Sequence, residues 1–199
     1  MLNTKINKLI IGTNNKGKLK EIRGLLPKNI KTFSPLKFGL KSPKENGKTF
    51  EKNSLIKSKY FSKKTNLICL SDDSGLEIDL LGGEPGIYSS RWAGPEKNFD
   101  MAIEKIFEKM NKIKKNWIKF NKARFICSLT LFWPDNRNVS STGTIQGKIS
   151  NIKKGNNGFG YDPIFIPKGY NKTFAELELK VKNSIDHRFI AYQKLKKFF

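Results

Sequence analysis

Residues 67–83, LICLSDDSGLEIDLLGG, decide how this chain is read. The apolar run from Leu67 to Leu70 has the composition of a strand, and it stops at Asp72 and Asp73, followed by Ser74 and Gly75. Neighbouring residues of a strand project to opposite faces of its sheet, so these two carboxylates cannot share one task. A carboxylate at the C-terminal end of a strand, beside a tight turn, is where α/β proteins place ligand or metal sites. Mg²⁺ commonly takes one or two carboxylates together with substrate phosphates, and Asp73 with a second acid such as Glu45 suits that use. The structural alternative is an aspartate that starts a turn by bonding its own backbone. Strand alternation alone leaves open which of the two faces the site.

Upstream, KLIIGT (8–13) predicts a first strand. KGKLKEIRGLL (16–26) predicts a helix that aligns Leu19, Ile22, Leu25 and Leu26 and ends at Pro27. FSPLKFGLKSPKENGKTF (33–50) is rich in Pro and Gly and reads as strand and loop, before a helix over about 50–64. Downstream, residues 75–94 read as turn-rich, and 99–116 as helical. ARFICSLTLFWPD (123–135) and VSSTGTIQGKIS (139–150) predict two strands joined by a turn at 134–138. The glycine-rich loop KKGNNGFGYDP (153–163) leads into a short strand IFIP (164–167), and a single basic helix is expected over 182–199. Strands and helices mixed with long loops make an α/β domain.

A chain of 199 residues is read as one domain, 1–199, or two lobes of one. It buries roughly 70% of its unfolded surface, so neither disulfide nor metal is needed to fold it. The formal charge of +22 points to an anionic partner. Lysines are nevertheless spread along the whole chain, the mark of a composition bias, and no dedicated nucleic-acid partner is expected. The densest basic stretch, EKMNKIKKNWIKFNKARF (108–125), carries interleaved aromatics. Cys69 and Cys127 lie in β-like runs without CxxC company and read as buried thiols. No signal peptide or membrane span is evident, so no membrane partner is expected and the cytoplasm is the default location.

Three further stretches carry chemistry. GTNNKGKLKE (12–21) is a strand opening onto a helix start, where free N–H groups and the helix dipole attract phosphate. There Lys18 is a point charge, and Thr13 and Asn15 can bond the anion; a plain strand–helix turn capped by Asn is the alternative. GNNGFGYDP (155–163) lets backbone approach a ligand, with Phe159 or Tyr161 to stack on a base and Asp162 to accept hydrogen bonds. KNSIDHR (182–188) holds the only histidine, His187, beside Arg188, with Lys182 nearby, a set able to grip an anionic or carbonyl-rich ligand.

Taken in order and spacing, TNNKGKLKEI, ENGKTF, SDDSGLEIDLLGGEPGIYSSRWAG, GFGYDPIF and KNSIDHR resemble the inosine/xanthosine triphosphate pyrophosphatase family from about Leu9 to the C-terminus. The resemblance implies an elongated mixed β-sheet flanked by helices in two lobes, with a central substrate cleft. It also implies Mg²⁺ as cofactor, a homodimer, and hydrolysis of ITP, dITP and XTP to the monophosphate and pyrophosphate. By position, Thr13, Asn14, Asn15, Lys16, Gly17 and Lys18 would hold the triphosphate. Asp73 would face the cleft as general base and metal ligand, with Glu45 as the second metal carboxylate, while Asp72 would point away toward loop backbone or a basic neighbour, metal contact being the lesser alternative. Ser74 would contact substrate, while Phe159, Gly160, Tyr161, Asp162, Lys182, His187 and Arg188 would line the nucleotide end. Lys52 stands where the family commonly has an acid, Asp186 where Ser is common, and Asn157 where Gly is usual and a left-handed backbone is expected. Alternatives are a pyrophosphatase for other modified nucleotides and a non-catalytic basic nucleic-acid-binding protein.

Overall fold

The computed structural model describes residues 6–199. The first strand, β1 (Lys8–Ile11), leads to helix α1 (Lys16–Leu25), then to strand β2 (Lys31–Phe33) and helix α2 (Phe50–Thr65). Strand β3 (Cys69–Ile78) follows, then a short helix α3 (Ser89–Trp92), helix α4 (Phe99–Ile113) and the strands β4 (Lys122–Phe132) and β5 (Asn138–Ile149). The chain closes with strand β6 (Phe165–Pro167) and helices α5 (Leu179–Ile185) and α6 (His187–Leu195). The sheet has strand order β2-β1-β3-β4-β5-β6. It is mixed: β1 pairs in parallel with β2 and β3, and β5 pairs antiparallel with β6.

The chain divides into two compact units. Unit 1 takes residues up to Asp73, Cys127–Gly143 and Arg188–Phe199; unit 2 takes Ser74–Ile126 and Thr144–His187. In unit 1 the continuous apolar run of β1 is explained by helices on both faces. Leu9, Ile11 and Leu70 pack with Ile22 of α1 and with Ala191, Tyr192 and Leu195 of α6. Ile10 and Cys69 face Phe61 of α2. The core of unit 2 joins Leu76 and Ile78 to Ala102, Ile103, Ile106 and Met110 of α4, with Phe125 edge to face with Phe165 and stacked on Phe174, and Phe165 and Phe174 tilted against each other.

The structure corrects three sequence expectations. The strand does not stop at the aspartates: β3 runs on to Ile78. Leu76 and Ile78 are buried in a second core, and both aspartates are satisfied by charged or amide partners, so they do not end the ladder. The C-terminal tail is two helices, broken at Asp186, whose backbone is extended (ψ 168°). Asn157 is not among the residues of positive φ; Gly155, Gly158 and Gly160 take those positions in its loop. Asn157 is instead tied down by its backbone N–H to Ala175 and its side chain to the Leu177 carbonyl.

Candidate active site

Alternation along β3 separates the two aspartates. Asp73 falls on the Cys69 and Ser71 side, toward α2; Asp72 falls on the Leu70 side, toward α1 and α6. One Oδ of Asp73 accepts from Asn53 Nδ2 at 3.0 Å, and the other lies 3.4 Å from Lys57 Nζ. Lys57 also reaches Glu45 at 3.0 Å, so Glu45 and Asp73 converge on one positive charge. Asn53 and Lys57 are one helical turn apart on α2, which presents both to β3. Neither was singled out by the sequence reading. The only signal was their i, i+4 spacing on a helix whose buried face is polar.

Burial pushes the Asp73 carboxyl above its ordinary pKa, with Glu45 adding repulsion, against the opposing pull of Lys57, Lys18 and Asn53. Burial alone would lower Lys57, but Asp73, Glu45 and Asp72 outweigh it and raise it. Among the described residues no group of three or more His, Cys, Asp or Glu gathers as a ready metal centre. Two hard carboxylates converging on a cation do fit Mg²⁺ that draws its remaining ligands from phosphate and water. Lys52 and Glu51 are both exposed on the first turn of α2, and Lys52 N–H is capped by Thr49 Oγ1.

Asp72 is wholly buried and bonded by Lys18 at 3.1 Å and by Arg188 at 3.0 Å, while Arg188 also pairs with Glu21 of α1. Burial would raise the Asp72 carboxyl, but Lys18, Arg188 and Lys57 hold it far below the usual carboxylate range. The expectation that Asp72 serves a basic neighbour is met by two of them. The resemblance implies a ligand contact for both, Lys18 with the triphosphate and Arg188 at the nucleotide end.

Asn15 caps α1 by accepting from Lys18 N–H at 3.0 Å, and its own N–H donates to Thr13 Oγ1. Asn14 Nδ2 donates to the Leu40 carbonyl and to Ser42 Oγ, leaving its buried Oδ1 without a hydrogen-bond partner. Lys16 is exposed at the helix start beside Gly17. Gly12 is obligatory at the end of β1, because a Cβ there would lie 2.0 Å from Ser71 Oγ.

Unit 2 gathers the remaining candidates. Asp162 accepts from Phe159 N–H at 2.9 Å and pairs with the buried Lys182 at 2.7 Å. The Lys182 ammonium also lies 5.1 Å from the Phe159 ring centroid. Gly160 has φ +69°, and Gly158 (φ +75°) allows no side chain because a Cβ would meet Asp162 Oδ2. Tyr161 donates to the Ser89 carbonyl at 2.8 Å, and burial raises its phenol pKa. His187 stacks on Phe125, with centroids 4.9 Å apart and rings 11° from parallel. Ser74 follows Asp73 in β3 and is half-buried. Unit 1 thus collects Thr13–Lys18, Glu45, Asp73 and Arg188, and unit 2 collects Ser74, Phe159–Asp162, Lys182 and His187.

The Ham1 family is matched over residues 9–198. A dITP/XTP pyrophosphatase of Zymomonas mobilis is 39% identical over 189 residues, which is 94% of this chain and 90% of that protein. One of Oceanobacillus iheyensis is 41% identical over 196 residues, 97% and 98% of the two chains. Among solved structures, the Staphylococcus aureus Ham1 protein superposes with a TM-score of 0.83 at 36% identity, covering 96% of this chain and 97% of its own. A HAM1 protein from Coxiella burnetii gives a TM-score of 0.86 at 33% identity, covering 96% and 98%.

Proposed function

The chain belongs to the Ham1 family, and from that premise we propose that it hydrolyses the deaminated purine nucleoside triphosphates ITP, dITP and XTP to the monophosphate and pyrophosphate. The observation that carries this reading is likeness over nearly the whole chain to proteins named dITP/XTP pyrophosphatase. In the proposed mechanism Asp73 takes a proton from the attacking water. Its raised pKa suits a base, since an ordinary aspartate is too weak to accept a proton near neutrality. Asn53 and Lys57 fix the carboxylate in place. Thr13, Asn14, Asn15, Lys16, Gly17 and Lys18 receive the triphosphate at the start of α1, where the helix dipole favours anions.

Glu45 and Asp73 would hold Mg²⁺, which when bound neutralises phosphate charge and acidifies water. Ser74 contacts substrate in the same reading, and Phe159, Gly160, Tyr161, Asp162, Lys182 and His187 form the nucleotide end. Arg188 is counted with that set by the resemblance alone; its guanidinium binds Glu21 and Asp72. Donors at that end would favour a 6-oxo base over adenine, and rejecting guanine would require exclusion of its 2-amino group or an unpaired polar atom there. A homodimer belongs to the same proposal and rests on the family resemblance, and the cytoplasm is proposed as its location.

The test is a panel of ITP, dITP, XTP, GTP and ATP, assayed with and without Mg²⁺ and with separate detection of pyrophosphate and orthophosphate. Pyrophosphate from the first three, with much slower turnover of GTP and ATP, is the expected result. Orthophosphate as the first product would refute it.

A further inference from the structure

Four cations from separate segments meet in one groove of unit 1. Arg23 at the end of α1, Lys28 in the following turn, Lys31 in β2 and Lys37 just beyond line a groove of about 700 Å³. All four are exposed, and among the described residues none has a carboxylate partner and no carboxylate lines the groove. Two of the ammonium groups crowd one ring: Lys37 lies 4.8 Å and Lys31 5.7 Å from the Phe33 centroid. Like charges gathered without counter-charge repel one another and are stabilised by a polyanion. Phe38, which meets Phe33 edge-on at 5.9 Å, is 41% exposed and offers a free aromatic surface.

We propose that this groove binds single-stranded nucleic acid, as a second site that shares no residue with the pyrophosphatase site. The cations come one each from a helix end, a turn, an edge strand and the segment after it, and all four line the same groove. Several flexible cationic side chains suit a chain of phosphodiesters, whereas a single phosphate is usually cradled by a compact nest of backbone N–H groups. Phe38 stacks on a base, a contact that tolerates any sequence. Scattered lysines gave no expectation of such a partner; the fold brings four basic residues together.

The test measures fluorescence anisotropy of a labelled oligothymidylate against the full chain at a series of salt concentrations. Four phosphate contacts give a log–log salt slope of about −3, and Lys31→Gln with Lys37→Gln brings it to about −1.4. Phe38→Ala weakens binding about tenfold with little change of slope. A control removes the same charge elsewhere, Lys112→Gln with Lys115→Gln, and is expected to leave affinity within about twofold if binding is confined to the groove. Pyrophosphate release stays unchanged in all variants. Equal losses in the two double variants would overturn the proposal, because they mark diffuse attraction to a polycation. So would absence of oligonucleotide binding, including the case where Phe38-dependent binding to phosphatidylglycerol vesicles appears instead.

Discussion

Asp73 and Asp72 are consecutive, both buried, and shifted in opposite directions by their neighbours. Asp73→Asn removes the proposed base while keeping an isosteric partner for Asn53. Turnover should fall by about 10²- to 10⁴-fold with the thermal midpoint unchanged or higher, readable by steady-state kinetics beside calorimetry. Retained turnover would dismiss Asp73 as the base. Asp72→Ala leaves Arg188 and Lys18 facing a void and should cost about 3–5 kcal/mol of stability, seen in urea unfolding. Gly12→Ala pushes a methyl into Ser71, Cys69 and Phe61, and overpacking of this kind costs about 1–3 kcal/mol.

At the scale of elements, the parts most legible in the sequence were those with a clear apolar period. The β1 run, the Leu19–Ile22–Leu26 face of α1 and the turn between β4 and β5 all stand where they were expected. Helix α2 also stands where it was expected, but its inner face shows why the rest was not legible. It buries Asn53, Ser54, Lys57, Ser58 and Ser62, so no hydrophobic stripe marks its inner face. Ser54 Oγ lies 2.7 Å from Thr130 Oγ1, which lies 2.8 Å from Ser140 Oγ, a hydroxyl chain from α2 through β4 to β5. Such pairings depend on residues some 76 positions apart and leave no local pattern. Ser54→Val should destabilise α2 by about 1–3 kcal/mol by stranding Thr130 without that partner, and hydrogen exchange along α2 would register it.

For the whole molecule, the opposed shifts give stability a two-signed dependence on pH. Asp72 has a depressed folded pKa, so its contribution is present above the unfolded value near ~3.9 and lost as pH falls below it. Asp73 has a raised folded pKa, so ionising it costs stability as pH rises through that value. Denaturant midpoints measured across acid pH should therefore show a rising limb that Asp72→Asn removes and a shallow fall that Asp73→Asn removes. Lys57 carries one more consequence. Acylating reagents attack only the neutral amine, and this one is both hidden and held protonated. Among many freely labelled surface lysines, Lys57 should therefore be modified only during excursions that part α2 from β3. Its labelling rate, followed by mass spectrometry, becomes a clock for how often the molecule opens at its proposed catalytic centre.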